Sequence, residues 1–267
     1  RLFRAAHKFI GHLPGGLAIA TIGACAAFSA ICGSTSATAA TMASVTLPEM
    51  KKYNYDPSLA TGVVAAGGSL GILIPPSTIF IVYSIMTEQS IGKLFMAGVL
   101  PGILLSLLFT LAILIWTFLK PEVGPRGPKS TFKEKIASLS GLIETLILFI
   151  LVMGGLFVGL FTPTEAAGVG ALGTLIISVA GRNLSWKGFI KTLDDTARIT
   201  CMIMVIVAGA TIFGHFLAVS RIPYDIAGWI TGFDMPDWVI MSFIIFCYLV
   251  GGCFMDALAL IMLTIPI

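Results

Sequence analysis

Of 267 residues, 57% are hydrophobic and only 11% are charged, whereas soluble globular chains carry roughly 25% Asp, Glu, Lys and Arg. Sixteen basic and thirteen acidic side chains cannot coat a water-facing body of this length. With a mean hydropathy of +1.00, a water-soluble enzyme, a nucleic-acid binder and a disordered chain are excluded together. A net charge of +3 offers little attraction for a polyanion, so the chain reads as an all-α integral protein of the lipid bilayer. Cys25, Cys32, Cys201, Cys247 and Cys253 lie in apolar stretches without zinc-site or disulfide spacing and read as small apolar residues packed between helices. The chain opens on Arg1 and stops at Ile267 inside an apolar run, so a fragment of a longer membrane protein is expected.

Charge-free intervals run Phe9–Pro48, Pro57–Thr87, Leu94–Leu119, Thr145–Thr164, Ala166–Gly181, Ile199–Ser220 and Trp238–Met255. A spanning helix needs about 20 apolar residues, so the first interval, about 40 long, holds two passes. Short loops rich in Lys and Arg face the cytoplasm. Lys120, Arg126, Lys129, Lys133 and Lys135 crowd one loop, and Arg182, Lys187, Lys191 and Arg198 another. Two passes meeting at Phe161-Thr162-Pro163-Thr164-Glu165 separate them, so both loops fall on one face. Counting back puts Lys51, Lys52 and Asp56 inside, and Arg1, Arg4 and Lys8 with them. Phe9–Pro48 therefore enters and leaves on the cytoplasmic side, as a re-entrant hairpin does. Counting forward, the loop with Arg221, Asp225, Asp234 and Asp237 lies outside, and Trp238 onward enters from there.

Gly33-Ser34-Thr35-Ser36-Ala37-Thr38 concentrates four hydroxyls and a glycine in the middle of the first stretch. Backbone in hydrocarbon must be hydrogen-bonded, so an interruption is tolerated where it lines a cavity or a site. Helix ends meeting there offer amides to an anion and oxygens to a cation; the plainer reading is Ser/Thr packing between ordinary helices. Gly67-Gly68-Ser69-Leu70-Gly71-Ile72-Leu73-Ile74-Pro75-Pro76-Ser77 cannot form one unbroken helix, because each proline deletes an amide and strands a carbonyl about one turn upstream. Such oxygens suit a sodium ion or a similar cation; a plain proline kink is the alternative. Capping and interface anchoring suffice for Glu144 and Glu165, although Glu165 could also brace a break after Pro163. His215 reads as an interhelical hydrogen-bonding residue. Asp256, an acid inside a predicted membrane stretch, is a functional-site candidate, or else a solvated residue near the interface.

The two stretches that enter from opposite faces echo each other. Each is an apolar arm, a small-polar interruption, a second arm and a Thr-x-Pro close, Thr46-Leu47-Pro48 and Thr264-Ile265-Pro266. Aligned on that close, Gly33 falls on Gly251 and Thr38 on Asp256. Inverted repeats with interrupted helices mark secondary transporters. The expected fold is thus a multi-span helical bundle with re-entrant hairpins and broken helices in inverted repeats. Residues 1–93 would form the first hairpin and broken helix as half of a transport domain, 94–198 the scaffold and connecting helices, and 199–267 the start of the second repeat.

At the Gly-Ser-Thr-Ser-Ala-Thr tip, the Gly-Gly-Ser-Leu-Gly-Ile-Leu-Ile-Pro-Pro-Ser break and the Phe-Thr-Pro-Thr-Glu-Ala-Ala corner, the chain resembles the large permease subunit of the tripartite ATP-independent periplasmic (TRAP) transporters, the DctM-like family. The resemblance covers essentially the whole chain. It implies that Ser34, Thr35, Ser36 and Thr38 lie at the hairpin tip, facing Gly68, Gly71, Ile74, Pro75 and Ser77 on the break, with Asp256 at the start of the second hairpin. Sodium would be held among Ser34, Ser36, Gly68, Gly71 and Ile74. Family members continue beyond both ends of this chain, so half of the site is expected to be missing.

By the same resemblance, an elevator in the bacterial inner membrane imports an organic anion such as a C4-dicarboxylate or a sialic acid. The sodium gradient drives it, a periplasmic solute-binding protein delivers the anion, and a small four-helix membrane subunit supports it. No further cofactor and no enzymatic activity are implied. A stand-alone dicarboxylate carrier is the nearest alternative. An intramembrane hydrolase using a serine of Ser34–Ser36 needs a base within hydrogen-bond reach, and His12 and His215 are not paired with it by spacing. A channel fits hairpin pairs less well than alternating access does.

Overall fold

The computed structural model describes Ala6 and residues 8–127, 143–182, 184–221, 225, 228 and 236–265. Arg1, Arg4, Lys129, Lys133, Lys135, Asp234 and Pro266, used above for topology and for the repeat, lie outside the described residues. Among those described there is no strand; the chain is helical throughout. Two compact units emerge, Arg1–Ile81 with Ser90–Ala180, and Val82–Gln89 with Gly181–Ile267.

The first unit is built around an antiparallel helical hairpin. α1 (Gly16–Cys32) ends at Gly33, whose left-handed φ of 62° lets its N–H bond back to the Ser29 carbonyl. A residue with a Cβ is disfavoured in that conformation. Ser34 then turns into the extended region and caps α2 (Thr35–Lys52), its hydroxyl accepting from the Ala37 N–H at 3.4 Å. Lys51 and Lys52 close α2, where cations suit the helix C-terminus. Asp56 caps α3 (Pro57–Gly68) by accepting from the Ser58 N–H at 2.8 Å, with Pro57 in the first turn, where a missing amide costs nothing.

After Ser69, one short turn, α4 (Leu70–Leu73), leads into the Ile74–Ser77 break, and α5 (Thr78–Thr87) resumes beyond it. α3, α4 and α5 together are long and apolar enough to cross a membrane. α6 (Ile91–Leu119) is the longest helix of this unit and crosses in one piece. α7 (Ile143–Val158) and α8 (Pro163–Ala180) pair as an antiparallel hairpin, with Gly155 against Phe161 and Gly173 against Leu148.

The core is the junction of α1, α2 and α3 with the α6 face at Ile113: Leu17, Ile22, Met50, Leu59 and Leu70 are almost fully buried there. The opposite surface of α6 carries Leu100, Phe118 and Leu119, each 75–77% exposed. A belt of large apolar side chains left open in this way suits hydrocarbon, not water.

One end of the unit is stitched together by backbone. The Gly15 N–H donates to the Gly124 carbonyl at 2.9 Å, Asp56 N–H to Val123 at 3.0 Å and Gly127 N–H to Gly11 at 2.8 Å. The buried Tyr55 hydroxyl accepts from the Leu17 N–H at 3.1 Å. The start of α1, the turn from α2 to α3 and the chain leaving α6 therefore share one end. This is the arrangement expected of a stretch that enters and leaves on the same face.

In the second unit, α9 (Trp186–Ser220) spans 35 residues from a Ser185 cap. The basic residues Lys187, Lys191 and Arg198, expected in a loop, sit on its first turns, and Arg198 pairs with Asp194 at 2.8 Å. A helix is compatible with that region because its apolar residues Trp186, Ile190 and Leu193 recur at helical spacing. α10 (Asp237–Gly252) and α11 (Ala257–Thr264) form the second hairpin. Among the described residues, four helices are long and apolar enough to span a bilayer.

Candidate functional site

The first hairpin tip is seated on the break. The Gly33 carbonyl accepts from the Thr78 N–H at 3.4 Å and from the Thr78 hydroxyl at 3.2 Å. A Cβ on Gly33 would lie 2.5 Å from the Pro76 carbonyl oxygen. Backbone meets backbone again one turn away, where a Cβ on Gly71 would come within 2.6 Å of the Ser34 carbonyl oxygen and 2.9 Å of the Thr35 nitrogen. Gly68 lies against Ala39 and the Thr35 carbonyl, and Gly67 against Cys25. The run of glycines lets the broken helix press into the groove between the two hairpin arms. Ser34, Thr35, Gly68 and Gly71 are thus brought together, as the sequence leads one to expect.

The other candidates sort themselves by what their atoms already do. Ser77 is fully buried, and its hydroxyl donates to the Ile72 carbonyl at 2.6 Å and accepts from the Phe80 N–H at 3.4 Å. It mends a carbonyl that Pro76 strands, so its hydroxyl serves the break internally. Ile74 is extended, its N–H bonded to Leu70, and its side chain fills the space that Gly102 leaves on α6. Pro75 is buried. Ser36 is exposed, on the side of α2 away from the packed face. Thr38 is fully buried, one turn inside α2. No cluster of three or more His, Cys, Asp or Glu occurs among the described residues; what the tip offers a cation is neutral oxygen.

Asp256 is exposed and caps α11, its carboxylate accepting from the Leu258 N–H at 3.0 Å. By role its counterpart is Ser34, the cap of α2, and not Thr38 as the alignment on Thr-x-Pro has it. The interruption is longer in the second hairpin, Cys253–Asp256 against Gly33–Ser34, which displaces the register. Glu165 is also a cap: its carboxylate accepts from the Thr162 N–H at 2.8 Å and hydroxyl at 2.9 Å, while its own N–H donates to that hydroxyl. This is the reciprocal box read from Thr-x-x-Glu.

Three contributors escaped the sequence reading. Thr78 joins the tip to the break, Tyr55 caps α1, and Gly124 receives Gly15. A glycine closing an apolar arm signals Gly33 in advance. Nothing local marks Thr78 or Tyr55, whose partners lie about 40 residues away along the chain.

Comparison with known proteins places this geometry. A family model described as "Tripartite ATP-independent periplasmic transporter, DctM component" matches residues 1–267. The C4-dicarboxylate TRAP transporter large permease protein DctM of Pseudomonas aeruginosa is 37% identical over 268 residues, covering all of this chain and 62% of that protein. The isethionate TRAP transporter permease protein DctMQ of Oleidesulfovibrio alaskensis is 38% identical over 275 residues, again over the whole chain and 42% of the relative. The sialic acid TRAP transporter large permease protein SiaM of Vibrio cholerae is 32% identical over 267 residues, with 62% of its length matched. The chain spans at most about three fifths of the length of these curated relatives. It belongs to the DctM family, the large-permease component of the TRAP transporters, and is a multi-pass protein of the bacterial inner membrane.

Proposed function

We propose that this chain contributes the first hairpin and its facing break to a sodium-coupled secondary transporter that imports an organic anion. The observation that carries the reading is the seating of the Gly33–Ser34 tip on Pro76–Thr78 and Gly71. Two interrupted helices brought together inside a membrane protein are tolerated where they line a site. Sodium is a substrate here, bound by neutral oxygens around Ser34, Thr35, Gly68 and Gly71. The anion meets the amide end of α2, where a helix N-terminus favours negative charge. Names of relatives that specify C4-dicarboxylate, isethionate and sialic acid support an anionic solute carrying a carboxylate or sulfonate.

In this reading a periplasmic solute-binding protein delivers the anion and a small four-helix subunit supports the scaffold. The moving half runs from the hairpin through α6 and the Gly124 stitch, further than the boundary at residue 93, because Gly98 and Gly102 of α6 hold the break. Asp256 takes the equivalent capping role in the second repeat. The protein acts as a permease, with the Ser34 hydroxyl capping α2.

Liposomes holding the full-length protein with its partners test this by uptake of labelled C4-dicarboxylate or sialic acid. Uptake is expected to require an inward sodium gradient. Equal uptake without the gradient sinks the sodium-coupled reading, and uptake that persists without the binding protein turns it into a stand-alone carrier.

A further inference from the structure

Among the described residues, buried hydroxyls are almost all spoken for. Thr21, Thr46 and Thr117 donate to carbonyls one turn back, Ser77 to Ile72 and Ser84 to Gln89. Ser29 and Thr38 are the exceptions: both are fully buried, and neither side-chain oxygen has a nitrogen or oxygen partner. Their positions are related. Ser29 lies one turn before Gly33 on α1, and Thr38 one turn after Ser34 on α2, so the two flank the tip symmetrically on opposite arms. Each forgoes the carbonyl one turn back that serves Thr21 and Thr46. Ser29 shares the stripe of Cys25, which meets Gly67, while Thr38 is next to Ala39, which meets Gly68. The Cys32 thiol approaches Thr38, but sulfur is a weak hydrogen-bonding atom.

A buried hydroxyl left bare costs about 1–3 kcal/mol, and these two stand at the same level of the hairpin, one turn either side of its tip. We propose that Ser29 and Thr38 hold one buried water molecule between the arms of the first hairpin, as a strut one turn behind the tip. The chemistry favours water over a cation. One turn inside the helices the nearby carbonyls are already engaged, Ser29 with the Gly33 N–H and Ser34 with the Thr38 N–H, and the hairpin from Phe9 to Pro48 contains no acidic residue. A charge buried there would lack compensation, whereas water needs only two to four polar partners. This strut is separate from the sodium site proposed at the tip and does not depend on it.

The test is thermal denaturation of the full-length protein in sodium chloride and in choline chloride. Ser29→Ala and Thr38→Val are each expected to lower Tm by about 2–4 °C in both salts, and Thr38→Ser to keep most of the parent's stability. The double variant should fall no further than the worse single, because both hydroxyls serve one water. A rise in Tm for Thr38→Val would mean two dry hydroxyls, and additive losses would mean separate partners; either overturns the strut. A loss present in sodium and absent in choline would assign a cation instead. For variants that do not fold, the density of the unmodified protein in sodium-free buffer decides: a single peak within about 3 Å of both hydroxyl oxygens is expected, and empty space between them overturns the proposal.

Discussion

The two hairpins use the same parts and solve the same problem differently. In the first, the interruption is two residues long, Gly33 is left-handed at φ 62°, and the turn is buried against Pro76 and Gly71. In the second, four residues, Cys253–Asp256, form the turn, none of them with positive φ, and Phe254 is 85% exposed. There Asp256 caps locally, and Tyr248 and Thr264 join the arms by a 2.6 Å hydroxyl contact. The first tip thus turns through a left-handed glycine seated on the break, and the second through a longer turn with a local cap. Substitutions that forbid a left-handed backbone should therefore hurt the first turn more than the second.

The largest contrast is expected at the glycines that close the first arms. Gly33→Ala forces a left-handed alanine and drives its Cβ into the Pro76 carbonyl, a loss of about 3 kcal/mol. Gly252 is the last helical residue of α10 and has no positive φ, so Gly252→Ala escapes the left-handed penalty and should cost less. Thermal denaturation of both variants in the full-length protein checks this, and similar Tm values for the two would erase the distinction. Gly71→Ala, pressing on Ser34 and Thr35 backbone, should cost about 2–3 kcal/mol and lower uptake in liposomes by parting tip from break.

Smaller effects sharpen the same comparison at the hydroxyls. Tyr55→Phe leaves the buried Leu17 N–H of the first hairpin without its acceptor, at about 2 kcal/mol; faster amide exchange at Leu17 would report it directly. Tyr248→Phe in the second hairpin should cost about 1 kcal/mol or less, because the Thr264 hydroxyl keeps the Leu260 carbonyl.

The smallest effect belongs to Asp56, whose carboxyl the Ser58 backbone N–H, and then the Ser58 hydroxyl, hold below the usual carboxylate range. A depressed folded-state pKa gives stability that is complete above the unfolded value, near 3.9 for Asp, and is lost as pH falls through the folded one. The Tm difference between the parent and Asp56→Ala should hold from neutral pH to about 5 and close below about 4.

Much of this was readable because membrane insertion leaves few places for charge. The placement of Lys51, Lys52 and Lys120 told which segments end together, and the backbone bonds from Gly15 and Asp56 to Gly124 and Val123 realise it. The break was legible because two prolines in succession admit no continuous helix, and the caps at Ser34, Asp56 and Glu165 because their spacing is local. What escaped was tertiary. That the Ser77 hydroxyl donates to the stranded Ile72 carbonyl five residues upstream is not marked by any local pattern. The basic residues after Ser185 looked like a loop because charge was read ahead of periodicity. Asp256 was matched to Thr38 because the arms were aligned at their far ends, while the difference in length lies in the turn.

The bond from Thr78 to Gly33 bears on what counts as one crossing. α1 ends with an unused carbonyl and α5 begins with an unused amide, the orphan groups every helix leaves at its ends. Here each supplies the other across 45 positions of sequence. The hydrogen-bond ladder of α1 thus passes through space into α5, splicing two segments that are not consecutive in the chain, while α2 turns back from the splice point. With their ends apposed, the negative pole of one is matched by the positive pole of the other. Any movement that lifts the tip away must first unmake this splice, exposing two unpaired backbone groups in a medium that cannot satisfy them.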